Sequence, residues 1–195
     1  MLGSITPLGE RSRGSRWGAT VIMYIAGSLL GGVIVGTAAG LAGAWLAPSH
    51  RSALAALGAL LAIGALVDTG RSPVTLPTPR RQVNEDWLRR YRSWVYGGGF
   101  GLQLGAGVAT IVGTAAVYST FGAAFLSGSP AAGAAIGAAF GLARAVMVLP
   151  AGRVRLPAQL GRLDARLRAM DGPSRRVAVS CQVGLAAACL VIALG

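Results

Sequence analysis

Long apolar stretches separated by blocks of arginine constrain this chain more than any other feature of its sequence. Five such stretches can be marked, at residues 17–47, 52–67, 94–126, 130–150 and 177–195. Crossing the hydrocarbon core of a bilayer takes about 20 residues of helix, so most of these are long enough and 52–67 is marginal. With 53% of its 195 residues apolar, 12% charged and a mean hydropathy of +0.60, the chain is expected to fold in a bilayer rather than in water. The fold class that follows is an all-α integral membrane protein with about five transmembrane helices. Stretches 17–47 and 94–126 would each be about 45 to 50 Å long if straight. They are expected to tilt, protrude or break.

Orientation is set by the arginines. All 18 basic residues are arginine, six acids oppose them, and the formal net charge is +12. Arg11, Arg13 and Arg16 precede the first stretch; Arg71, Arg80, Arg81, Arg89, Arg90 and Arg92 follow the second; Arg153, Arg155, Arg162, Arg166, Arg168, Arg175 and Arg176 follow the fourth. The other connections carry only Arg51, beside His50. With each stretch crossing once, every rich segment falls on one side, which places the N-terminus in the cytoplasm and the C-terminus outside. The organisation read from this is a cytoplasmic basic arm (1–16), two membrane units (17–93 and 94–170), and a linker with a final span (171–195). The first stretch is read as a retained span, because it exceeds the apolar region of a cleavable signal peptide. A lysine-free sequence rich in alanine and arginine fits a genome of high G+C content, hence a bacterial plasma membrane.

The same inventory removes several chemistries. Without lysine there is no Gly-Lys-Ser/Thr phosphate loop and no Schiff base. One histidine and two cysteines, Cys181 and Cys189, make no ligand cluster for zinc or iron-sulfur, and no cofactor or metal is expected. Eight residues on one helix separate the cysteines by roughly 12 Å, too far to bridge. A pI near 11.6 is the footprint of a nucleic-acid binder, but the arginines lie between apolar stretches and no binding motif accompanies them, so no nucleic-acid partner is expected.

The chain repeats itself. Residues 34–39 and 111–116 are both Ile-Val-Gly-Thr-Ala-Ala, and at the same offset of 77 Trp17 and Trp94 each open a long stretch. Each unit would hold a long span, a short span and an amphipathic cytoplasmic segment, and two spans per unit make the units parallel. In the first unit Asn84 can cap a short helix carrying Trp87, Leu88 and Tyr91 on one face. In the second, Leu160, Leu163, Leu167 and Met170 form a stripe after Pro157, Asp164 stands four residues before Arg168, and 171–173 is expected to stop the helix. Both segments are expected to lie on lipid headgroups or to dock a partner.

Glycines recur every fourth residue at 32, 36 and 40, at 97, 101 and 105, and at 133, 137 and 141, the spacing that lets membrane helices approach closely. Asp68 and Arg144 are the charges within spans, and an intramembrane ion pair between them would relieve both. Thr37, Gln103, Thr110, Thr114 and Tyr118 are candidates to line a weakly polar path.

At Gly128, Ser129, Pro130 and Gly133, followed by Gly137, Phe140, Gly141, Leu142, Ala143, Arg144, Ala145 and Leu149, the sequence resembles membrane electron carriers of the CcdA and DsbD type. The resemblance implies inverted halves of three spans and a thiol relay. The Pro-Cys elements of that family are absent from 33–38 and 109–114, so no redox residue is carried over.

Two functions remain open. One is a small-solute transporter or permease-like protein with a path at the repeat interface. The other is a non-catalytic accessory or assembly subunit of a larger membrane complex, for which glycine ridges and amphipathic helices suffice. An enzyme is not expected, since no Ser/His or Cys/His constellation is available. The bilayer is the expected partner, with a membrane protein or a second copy as further possibilities.

Overall fold

A computed structural model describes residues 6–12, 14–46, 49–70, 91–107 and 114–195. Among the described residues there is no strand. The helices are α1 (Pro7–Ser12), α2 (Trp17–Leu46), α3 (His50–Asp68), α4 (Ser93–Gly105), α5 (Ala116–Leu126), α6 (Pro130–Val146), α7 (Pro157–Ala169) and α8 (Asp171–Leu194), with a 3-10 turn at Leu149–Arg153. Four helical segments are long and apolar enough to cross a membrane: α2, α3, α6 together with the 3-10 turn, and the α7–α8 run.

Local chemistry sets several boundaries. Ser49 and Ser129 cap α3 and α6 by accepting the amides of Ser52 and Ala132, and Pro130 supplies the preset φ favoured in a first turn. Asp171, Gly172 and Pro173 do not end the amphipathic helix as expected. Met170 already closes α7, and these three residues form the first turn of α8, where an acid suits the helix dipole.

The long third stretch breaks. Gly107 adopts φ +70° and donates its amide to the Leu104 carbonyl, closing α4, and the chain resumes helix at Ala116. The residue 77 positions earlier is Leu30, inside α2, whose side chain disfavours that left-handed conformation. The duplicated hexapeptide therefore has two fates. Residues 34–39 are helical within α2, whereas Thr114 and Ala115 lie outside helix and residues 111–113 fall outside the described residues.

Glycine organises the packing. Along α2 and α4, Thr20 lies against Gly97, Tyr24 against Gly101 and Ser28 against Gly105, so the two helices run parallel with residues 77 apart at equal height. Along α2 and α6, Gly32 meets Gly137 and Gly36 meets Gly133 in antiparallel register, each at the other's backbone carbonyl. A Cβ at any of these glycines would collide with a main-chain oxygen. Between helices in a bilayer, contacts of this kind supply the packing that lipid cannot, through close van der Waals approach and Cα–H···O bonds. Ser28 adds a hydrogen bond of 2.8 Å to the Gly141 carbonyl.

Gly43, near the end of α2, touches Phe125, near the end of α5, so α4 and α5 follow one another in one direction along α2. α8 runs antiparallel to α3, with Gln182 beside Gly64 and Leu190 beside Gly58. These directions gather Arg11, Arg16, Arg92, Arg153, Arg155, Arg175 and Arg176 at the end where α2 begins, and leave His50 and Arg51 at the other. The two units do not pack alike: α6 lies along α2, whereas α3, its counterpart, lies along α8.

Candidate functional site

Polar groups inside an apolar bundle are costly unless satisfied, and two clusters show how this chain satisfies its own. The first is centred on Asp68, 1% exposed at the end of α3. Its carboxylate accepts the Ala115 amide at 2.8 Å and the Gln182 side-chain amide at 2.8 Å. Ala115 immediately precedes α5, so the anion sits at the N-terminal end of a half-helix exposed by the break, where free amides and the helix dipole favour negative charge. Thr114 Oγ1 accepts the next amide, that of Ala116, at 3.0 Å. One residue thereby joins α3, α5 and α8. The Gln182 Oε1 atom is buried without a hydrogen-bond partner.

The second cluster lies at the arginine-rich end. Glu10 of α1 is fully buried. Tyr96 of α4 donates its hydroxyl to Glu10 at 2.6 and 2.7 Å, and Thr20 of α2 donates at 2.9 Å. The segment 6–12 therefore folds back onto α2 and α4, beside an aromatic core of Tyr24, Tyr96 and Phe100 backed by Trp17.

The expected ion pair does not form. Arg144 makes no ion pair among the described residues; its guanidinium lies 5.4 Å from the centroid of the Phe140 ring, and Nη1 is buried without a partner. Asp68 is instead hydrogen-bonded by the Ala115 amide and Gln182, at a different helix junction. Arg144 lines a cavity of about 490 Å³ together with Tyr24, Leu104, Val117, Thr120 and Phe140.

Thr37, Gln103, Thr114 and Tyr118 are half-buried, and none of them lines this cavity or the second one, of about 340 Å³, beside Gln182. Thr114 is occupied in capping α5, and Thr110 lies outside the described residues. Cys181 and Cys189 line the second cavity as free thiols on one face of α8.

Of the docking candidates, Trp87 and Leu88 lie outside the described residues, and Tyr91 is half exposed just before α4. Leu160, Leu163 and Leu167 form the partly covered stripe of α7, whose Asp164 and Arg168 pair at 3.0 Å on its exposed face. Among the described residues no group of three His, Cys, Asp or Glu side chains is placed to hold a metal.

Sequence reasoning missed Glu10, Tyr96 and Gln182. Glu10 sits among arginines in a polar arm, and its partners are 10 and 86 residues away; only the unusual tyrosine and glutamine within apolar stretches signalled anything.

Fold and clusters together define an all-helical bundle, built of glycine-packed helices of membrane-spanning length, whose buried polar groups fasten one helix to another. The chain belongs to the family of the methylamine utilization protein MauF. It is 34% identical over 201 aligned residues to MauF of Paracoccus versutus, covering 97% of this chain and 72% of that protein. It is also 34% identical over 179 residues to MauF of Methylophilus methylotrophus and 32% identical over 176 to that of Methylorubrum extorquens. Those alignments cover 88% and 86% of this chain, and the chain spans 63% and 62% of those two relatives. No family model matches the chain, and no solved structure matches it.

Kinship of this extent overturns two expectations. The chain is not an electron carrier of the CcdA and DsbD type. The residues that carried the likeness have a general packing explanation: Gly128 takes φ +57°, Ser129 and Pro130 start a helix, and Gly133, Gly137 and Gly141 meet α2. The transporter reading is likewise set aside, because the relatives are named for methylamine utilization rather than for transport.

Proposed function

We propose that this chain is a membrane-embedded, non-catalytic accessory or assembly subunit serving methylamine utilization. The observation that carries the reading is its 34% identity, over 97% of its length, to a protein named for that process. The internal chemistry supports it: Asp68, Gln182, Ser28, Glu10 and Tyr96 are used to fasten helices together, as a scaffold requires.

In this reading the chain crosses a bacterial plasma membrane five times, with α4 and α5 sharing the third crossing. The arginine-rich end faces the cytoplasm and the end of α8 faces outward, in keeping with the positive-inside rule. α7 lies at the cytoplasmic surface, where its stripe of Leu160, Leu163 and Leu167 is available to headgroups or to a partner protein.

The test is deletion of the coding sequence in the native host. Growth with methylamine as the nitrogen source is expected to fail while growth on ammonium continues, and the full chain should restore it. Accumulation of radiolabelled methylamine by the deletion strain should equal that of the parent. Normal growth on methylamine after deletion would refute the role, and loss of uptake would refute its accessory character.

A further inference from the structure

Arg144 has a position that the fold alone does not explain. It lies in the last turn of α6, and its guanidinium leans back over Phe140, one turn toward the start of the helix, at 5.4 Å. Helical side chains incline that way, but in α6 the direction leads away from the arginine-rich end and into the apolar bundle. A lone arginine in a bilayer ordinarily snorkels toward the interface. This one does not, and its buried Nη1 has no hydrogen-bond partner. The ring beneath it is fixed by an edge-on contact with Phe121 at 5.1 Å between centroids, and a cation over a ring offsets only part of the cost of burial.

The guanidinium faces a cavity of about 490 Å³ whose remaining walls are largely apolar, formed by Leu104 of α4, Val117 of α5 and Phe140. Tyr24, 6% exposed, lines it too, and its hydroxyl makes no hydrogen bond among the described residues. Thr120 is turned to its own helix, donating to the Ala116 carbonyl at 2.8 Å. A half-open, largely apolar cavity of this size with one cation and one neutral donor has the make-up of a ligand site.

We infer that this cavity binds an anionic amphiphile, its carboxylate or phosphate on Arg144 and Tyr24 and its hydrocarbon against Leu104, Val117 and Phe140. A helix of a partner protein is too large for the space, since two turns with side chains already occupy roughly 850–1,200 Å³. A lone acidic side chain from such a partner would leave most of the volume empty. Two sources supply the chemistry that fits: a fatty-acid-like molecule, and an anionic phospholipid that places its phosphate and part of one chain in the cavity and leaves the rest in the bilayer. The inference rests on the bilayer-embedded reading of α2 and α6 and is independent of the accessory role.

The test uses the full chain in phosphatidylcholine nanodiscs doped with a spin-labelled probe, either stearate or phosphatidylglycerol, with spin-labelled phosphatidylcholine as reference. The motionally restricted fraction gives the relative association of each probe. The wild type is expected to prefer one anionic probe over phosphatidylcholine by about tenfold or more, as a hydrogen bond to a charged group supplies. Arg144→Gln and the cavity-filling Val117→Trp should each bring the ratio to about one, the second with the charge retained, and helix content by circular dichroism should match the wild type for at least one of them. Preference for stearate identifies a fatty-acid-like ligand, and preference for phosphatidylglycerol a lipid headgroup. Equal association of all probes with the wild type overturns the inference, as does a preference that survives both variants, which would mark general attraction by surface arginines. So does restriction that arises only with a co-reconstituted protein bearing an intramembrane acid. Failure of the wild type to enter nanodiscs would overturn the bilayer reading itself, a distinguishable result.

Discussion

Replacing Asp68 tests whether one carboxylate joins three helices. In Asp68→Ala, the Ala115 amide and the Gln182 side-chain amide lose acceptors now at 2.8 Å each, and a buried donor left unsatisfied costs about 1–3 kcal/mol. Losing the anion at the start of α5 adds about 0.3–2 kcal/mol. Relief of the carboxylate's own desolvation acts in the opposite direction, leaving a net loss of about 3–4 kcal/mol, roughly 6–16 °C in melting temperature for a chain of this length. Asp68→Asn separates the contributions, because its amide keeps an acceptor for Ala115 and can exchange a hydrogen bond with Gln182, whose Oε1 now lacks a donor. It should lose only the charge–dipole part, less than half of the alanine effect. The assay is thermal unfolding in a mild non-ionic detergent, followed by circular dichroism, with Gln182→Ala completing a double-mutant cycle; contact between the two residues predicts a coupling of about 0.5–3 kcal/mol. Equal melting of the Ala and Asn variants, or strict additivity with Gln182→Ala, would refute the junction.

Three further outcomes are expected. Gly36→Leu should prevent recovery of folded protein, since its Cβ would collide with the Gly133 backbone, whereas Gly161→Ala, with nothing within 4 Å, should leave stability unchanged or raise it by about 0.5–1 kcal/mol; similar expression and melting of the two variants would contradict the packing described. Tyr96→Phe removes the hydroxyl that holds Glu10 and should release α1, seen as faster proteolysis between residues 11 and 16 with the remainder intact; an unchanged cleavage rate would show that the clasp does not hold the segment. With Cys181 and Cys189 replaced by alanine, a single cysteine at position 50 should react with a membrane-impermeant maleimide in intact cells, and one at position 162 only after permeabilisation. The reverse pattern would invert the orientation.

What could be read in the sequence was whatever depends on local pattern. The apolar runs gave α2 and α3 to within two residues and located α6 and α8, missing the end of the one by four residues and the start of the other by six, and the spacing of glycines at 32, 36, 133 and 137 identified the surfaces that meet. The break after α4 was less legible, because periodicity does not say which of many glycines takes positive φ; Gly107 does so where α2 has Leu30. Identical hexapeptides then diverged, since tertiary context outweighs local sequence. The pairing of Asp68 with Arg144 was inferred from charge and similar depth alone. A broken helix offers a carboxylate another partner, its own free amides, and that option appears only once the break is known.

In the bilayer-embedded reading, Asp68 also imposes an order on biogenesis. Its side-chain donor, Gln182, is made 114 residues later, an interval of about 6–23 s at ordinary translation rates. Throughout that time α3 holds an acid whose final donor does not yet exist, so the nascent helix has to be retained near the insertion machinery or sheltered by water until α8 arrives. Arrival of α8 both supplies the amide and covers the flank of α3, making it the step that commits the bundle. A ribosome stalled before residue 182 would leave a product with an incompletely satisfied carboxylate within the membrane, a mark by which quality control can distinguish unfinished chains from finished ones.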